Sequence, residues 1–164
     1  MPDDTRTILF VCTGNIFRSM TAEHALRHAL GERTDITSAS AGTHAMPQAM
    51  RPEVLRRLLE RGIDPTGHVQ RQLKRTIVDE ADVVVCMGLD HRQFVHEQFG
   101  LAAPLFGEVA CGIAEPVLDI HEAVLQFATD LTAAEEYAVR TVDFICDAVP
   151  GLLRWLEGSK ASCE

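Results

Sequence analysis

No stretch of this sequence stays apolar for anything near the about 20 residues that a membrane span requires. Basic charge is scarce too: 15 Lys and Arg stand against 24 Asp and Glu, a formal charge of −9. Nucleic acid, whose phosphates demand basic surface, is thereby disfavoured as a partner. The same charge repels small anions at long range, so any anion site has to be built from strong local donors. Cysteine is sparse and scattered, at Cys12, Cys86, Cys111, Cys146 and Cys163. An odd, dispersed set fits reduced thiols in the cytoplasm better than a disulfide framework. The spacing of His and Cys offers no zinc-type cluster. No repeat, low-complexity tract or linker divides the 164 residues, so one domain over residues 1–164 is expected. The opening "MPDDTRT" is acidic and runs straight into an apolar segment, which does not read as a secretory signal.

What is present alternates between strand-like and helix-like segments. "TILFVC" is a continuous apolar run that suits a strand buried on both faces. From Ser19, the residues Met20, Ala22, Ala25, Leu26, Ala29 and Leu30 keep roughly helical spacing, and Gly31 is a natural stop. "DITSASAGT" reads as a second strand, "RPEVLRRLLERG" as an amphipathic helix, and "ADVVVCM" as another buried strand. "GLDHRQFVHEQFG" reads as a helix, "APLFG" as a short fourth strand, and a long helix begins at about Thr132, kinked or broken at Pro150. Such alternation predicts a three-layer α/β/α fold with a parallel sheet. Ligands of these sheets sit beyond the carboxyl ends of the strands, where residues 12–18 lie.

Within "CTGNIFRS" a strand, a loop of small residues and a helix N-terminus follow one another. Backbone N–H groups converging there, with the positive helix end behind them, make an anion site. Arg18 adds a bidentate fork for two phosphate-type oxygens. The same field favours the thiolate of Cys12, the form that attacks phosphorus in line and yields a cysteinyl-phosphate for water to hydrolyse. Gly14 and Asn15 tolerate positive φ in a tightly curled loop, and the Ser19 hydroxyl is placed to donate to the thiolate.

"VCTGNIFRSMTAE" resembles the signature V-C-x-G-N-x-C-R-S-P-x-A-E of the low-molecular-weight protein tyrosine phosphatases. "SASAGT", "GIDPTGHVQRQL" and "EADVVVCMGLDH" look like that family's next three blocks, in order and at similar spacing, to about Phe106. The resemblance implies a four-stranded parallel sheet and cofactor-free, metal-independent hydrolysis of phosphotyrosine. The substrate would be a phosphotyrosine-containing protein or a small aryl phosphate, and the enzyme a cytoplasmic monomer or weak homodimer. Cys12 would be the nucleophile and Arg18 the clamp. Thr13, Gly14, Asn15, Ile16, Phe17 and Ser19 would bind the substrate, with Asn15, Ser19 and His68 as the polar network that shapes the loop.

Several positions depart from the pattern. Phe17 stands where the family often has a second cysteine, so an oxidised Cys12 lacks an adjacent resolving thiol. Met20 replaces a proline, and Gly88 an acidic residue. Relatives acting on phosphoarginine tend to carry threonine where this chain has Ile16, and an apolar Ile16 suits a phenyl face better. The general acid should come from an Asp-Pro-aromatic motif, yet no Asp-Pro follows residue 65. Asp119 is the preferred substitute, ahead of Glu115, which precedes Pro116. Asp130 can equally be an ordinary polar residue ahead of the last helix. His121 sits where a substrate-flanking aromatic would be. His44, His91 and His96 read as surface residues, and Cys86, Cys146 and Trp155 as packed ones. Three other functions stay open: a phosphate-binding regulatory protein of weakened activity, a thiol-linked arsenate reductase using Cys86 and Cys111, and a small-metabolite phosphatase.

Overall fold

A computed structural model describes residues 5–161 of the chain, the side chains of the last three excepted, so Cys163 lies outside the described residues. Strand β1 (Arg6–Cys12) is followed by α1 (Arg18–Leu30), β2 (Ile36–Gly42), α2 (Pro52–Glu60), α3 (Arg75–Asp79) and β3 (Val83–Cys86). The remainder is helical: α4 (Leu89–Phe99), α5 (Phe106–Cys111), α6 (Ile120–Ala123) and α7 (Leu131–Ala161). The sheet is parallel in the order β2-β1-β3, which puts β1 at its centre. The apolar run of β1 divides between two cores because strand side chains alternate across the sheet. Ile8, Phe10 and Cys12 face a cluster shared with α1, α2 and α7, whereas Leu9 and Val11 face one shared with β3 and α4.

The expected fourth strand is absent from the sheet, which has three strands rather than four among the described residues. "APLFG" contributes a single parallel bridge, Leu105 to Cys86, in which the Cys86 N–H donates to the Pro104 carbonyl at 2.9 Å. Pro104 has no N–H to continue a ladder, and the Leu105 N–H is turned to the Glu108 carboxylate at 3.3 Å as α5 begins. The pairing therefore stops after one step.

Pro150 does not break α7, which runs unbroken from Leu131 to Ala161. Its start is set by Asp130, whose Oδ1 accepts from the Ala133 N–H at 3.0 Å. Gly151, next along the helix, is where α7 presses on α5: a Cβ there would lie 2.1 Å from the Ala110 carbonyl oxygen. Helix propensity alone would reward Gly151→Ala with about 1 kcal/mol. The contact predicts the opposite sign, a loss of about 2–3 kcal/mol from forced separation of the helices. Thermal unfolding should therefore show a Tm lower by roughly 5–10 °C for a chain of this size; an unchanged or higher Tm would remove the close-contact account.

Candidate active site

The loop after β1 curls because five of its carbonyls are pulled outwards. Thr43 N–H donates to Cys12 O and His44 N–H to Thr13 O, both at 2.9 Å. Gln70 Nε2 donates to Gly14 O and His68 Nε2 to Asn15 O, both at 2.7 Å, and Thr21 N–H takes Phe17 O at 2.9 Å. In a trans peptide the N–H points opposite to the C=O. Five outward carbonyls thus turn five N–H groups, those of residues 13, 14, 15, 16 and 18, towards the loop's centre. Asn15 supplies the tightest bend at φ 57°, a conformation its short polar side chain tolerates. Gly42, at the end of β2, lets that strand abut the loop, since a Cβ would lie 2.4 Å from Thr13 O. No side chain caps α1, so the first turn of this helix presents its N–H groups to the same centre.

Below the loop a directed hydrogen-bond chain ends on sulfur. Glu23, a buried carboxylate, accepts from Ser40 Oγ at 2.5 Å and from Arg27. With its proton committed to Glu23, Ser40 can only accept from Asn15 Nδ2, at 2.7 Å. The second Asn15 amide hydrogen goes to Ser19 Oγ at 3.0 Å, and Asn15 Oδ1 accepts from the Arg71 N–H at 2.9 Å. Ser19 is left with one hydrogen, which points at Cys12 Sγ, 2.9 Å away. The chain has a polarity: every link favours negative charge on the sulfur.

Arg18, almost wholly buried, crosses the mouth of the loop. Its Nη1 donates to Val117 O at 2.9 Å, and its Nη2 lies 3.3 Å from Asp119 Oδ2. The Nε–H and the remaining Nη2 hydrogen are the parallel pair left for two oxygens of an oxyanion. Asp119 is held in turn: its Oδ1 accepts from the Ile120 N–H at 2.8 Å, and Tyr137 Oη–H donates to the neighbouring Leu118 carbonyl at 2.5 Å. Cys12, Arg18 and Asp119 line one cavity of about 400 Å³ with Thr13, Gly14, Ile16 and Phe17. Its outer wall adds Phe127 and His121, rings packed edge to face with centroids 6.3 Å apart. His121 thus shares the flanking position with Phe127, which the sequence did not single out.

The candidate acids separate cleanly. Asp119 is in the cavity, while Glu115 is exposed outside it and Asp130 caps α7. Asn15, Ser19 and His68 are brought together around the loop. His91 is not a surface residue: it is fully buried beneath the loop, because α4 folds it back over its own N-terminus. Its Nδ1 accepts from the Gly88 N–H at 2.9 Å, so Nε2 carries the proton and donates to Thr13 Oγ1 at 2.8 Å. Burial first, then the charge of Arg18, pushes its pKa down to about 4, so the ring is a neutral prop at ordinary pH. His44 and His96 are exposed as expected. The sequence assigned no role to Glu23, Ser40 or Tyr137, although Glu23 closes "VCTGNIFRSMTAE" and Ser40 lies within "SASAGT", blocks whose resemblance could have flagged both.

The remaining thiols are poor partners for Cys12. Burial raises Cys86 to about 12 and Cys146 to about 11. Cys111, the second thiol of the arsenate reductase alternative, ends α5 and is exposed, and Phe17 is buried in the core. Among the described residues no helix is long and apolar enough to cross a membrane.

Known proteins of similar sequence and fold were found. The family model described as low molecular weight phosphotyrosine protein phosphatase matches residues 7–106. A protein-arginine-phosphatase of Bacillus subtilis is 38% identical over 96 residues, covering 57% of this chain and 63% of its own. Arsenate reductase 2 of Staphylococcus saprophyticus is 34% identical over 87 residues, covering 53% of this chain and 63% of its own. The chain therefore spans a little under two thirds of the length of these curated relatives. A crystal structure of a YwlE mutant from Bacillus subtilis superposes with a TM-score of 0.77 at 27% identity, over 93% of this chain and 99% of that one.

Proposed function

The chain belongs to the low molecular weight phosphotyrosine protein phosphatase family, and from that premise we propose that it hydrolyses phosphotyrosine, or aryl phosphate monoesters of that shape, through a cysteinyl-phosphate. One observation carries the reading: Cys12 Sγ, the Arg18 fork and the Asp119 carboxylate face one another across a single cavity. The inward N–H groups and Arg18 hold the three non-bridging oxygens, which keeps the P–O bond to the leaving group in line with Sγ. The thiolate attacks phosphorus, the bond to the phenolic oxygen breaks, and Asp119 gives that oxygen its proton. Water then attacks the thiophosphate with Asp119 taking its proton, and phosphate and thiolate are restored.

Substrate choice rests on the cavity walls. Ile16 and Phe127 line the cavity with apolar side chains, backed by the buried Phe17 and Ile120. A planar phenyl ring fits such a wall, whereas a phosphorylated guanidine sets several N–H donors against it, with Asp119 the one carboxylate lining the cavity among the described residues. Wild-type enzyme should hydrolyse a phosphotyrosine peptide in preference to a phosphoarginine peptide of the same sequence. Ile16→Thr should lower kcat/KM for the phosphotyrosine peptide about tenfold and narrow the preference. The opposite ranking in wild type would move the substrate class to that named for the Bacillus subtilis relative. The arsenate reductase reading gains little from the site, because burial holds Cys86 as a thiol and thiolate is the form a disulfide relay uses.

A further inference from the structure

The sequence spacing shows no zinc-type cluster, but folding assembles one on the outer side of the phosphate loop. We propose that Glu23, His24 and His68 form a binding site for a zinc ion, distinct from the thiol site. Helix α1 supplies Glu23 and His24 from consecutive positions, and the segment before α3 brings His68 against them. One ligand atom from each lies within 4.8 Å of the others.

The histidine pair stands at the spacing of a tetrahedral ion's ligands, with the Glu23 oxygen somewhat farther out. Two imidazole nitrogens on one zinc at about 2.0–2.1 Å stand roughly 3.3 Å apart. His24 Nε2 and His68 Nδ1 are 3.2 Å apart, and Glu23 Oε2 is 3.9 Å from His24 Nε2. His68 is already oriented as a metal ligand is: its Nε2–H is spent on the Asn15 carbonyl, so the lone pair on Nδ1 faces His24. A backbone carbonyl taking the second ring N–H is the usual support of a metal-bound histidine. Glu23 can serve through Oε2 while Oε1 keeps its bond from Ser40.

The three residues line a cavity of about 330 Å³ that Cys12 does not share, so an ion can enter without crossing the active site. Two contacts compete with an ion: Arg27 donates to the same Glu23 oxygen, and His24 Nε2–H donates to His68 Nδ1, a hydrogen bond that zinc would replace as the Nε2 proton leaves. The Arg27 side chain is 55% exposed and can turn to solvent when an ion takes its place. Three protein ligands leave a fourth position for water, and the donor set suits zinc better than magnesium or calcium. Through His68 and Asn15 the ion would brace the loop from outside, which makes the site a stabilising one rather than part of the hydrolytic chemistry.

The test uses the full chain carrying Cys12→Ser, which removes the active-site thiolate as a competing zinc ligand, titrated with Zn2+ alone by calorimetry. One Zn2+ per chain is expected, with a rise in Tm. Affinity should fall about tenfold or more on adding His24→Ala or the size-matched His24→Gln. Imidazole nitrogen resonances give a reading that needs no second variant: those of His24 and His68 should move on Zn2+ addition. Binding of equal strength in both His24 variants, movement of other histidines instead, or no binding at all would overturn the site.

Discussion

Serine in place of Cys12 is expected to remove turnover of an aryl phosphate by on the order of 10⁴-fold or more, although only one atom changes. The reason is the polarity of the network beneath it. Ser19 donates to Sγ, Asn15 donates to Ser19 and to Ser40, and Ser40 donates to Glu23. Such a chain aims donors at the attacking atom, which suits a sulfur nucleophile attacking as thiolate. It holds no acceptor to take the proton of a serine hydroxyl, whose ionisation is far less accessible. Phosphate binding should survive, because the inward N–H groups and Arg18 are untouched. Steady-state hydrolysis together with protection of the fold by inorganic phosphate or vanadate checks both halves. Retained turnover in the serine variant would sink the assignment of Cys12 as nucleophile.

Much of this site was legible because it is local. The apolar run of β1, the small-residue loop and the helix opening at Arg18 are contiguous, and each agrees with the next. The same locality explains the misses. Of the groups that curl the loop, the resemblance named only His68; Thr43, His44 and Gln70 lie 31 to 56 residues downstream of their partners, and no spacing rule connects them to residues 12–17. His91 carries no sign in its neighbours that α4 will fold it inwards. The fourth strand failed for a subtler cause: "APLFG" has a strand's composition, but Pro104 and the early start of α5 leave one residue able to pair. Pro150 erred the other way, since packing of α7 against α1 and α5 outweighs one missing hydrogen bond.

Asp119→Asn tests the element that local pattern conveyed least. Asn keeps the shape and can still accept the Ile120 N–H through its side-chain oxygen, so the segment should stay in place. That segment is fastened just ahead of Asp119, independently of its side chain: the Val117 N–H donates to Met87 O at 2.8 Å, Arg18 holds the Val117 carbonyl, and Tyr137 holds that of Leu118. What Asn lacks is an acidic proton. With phenyl phosphate, whose leaving group is poor, kcat should fall by about 10²–10³. With an activated ester such as a nitrophenyl phosphate the loss should shrink, because a stable phenolate leaves without help. Glu115→Gln should behave as wild type on both, its carboxylate being exposed outside the cavity. Asp130→Asn should as well, since Asn caps a helix as effectively as Asp. A leaving-group-dependent loss in Glu115→Gln with none in Asp119→Asn would transfer the acid role. If neither shows one, proton donation would have to come from solvent, and the contact between Asp119 and Arg18 would be a structural pair that closes the mouth of the loop.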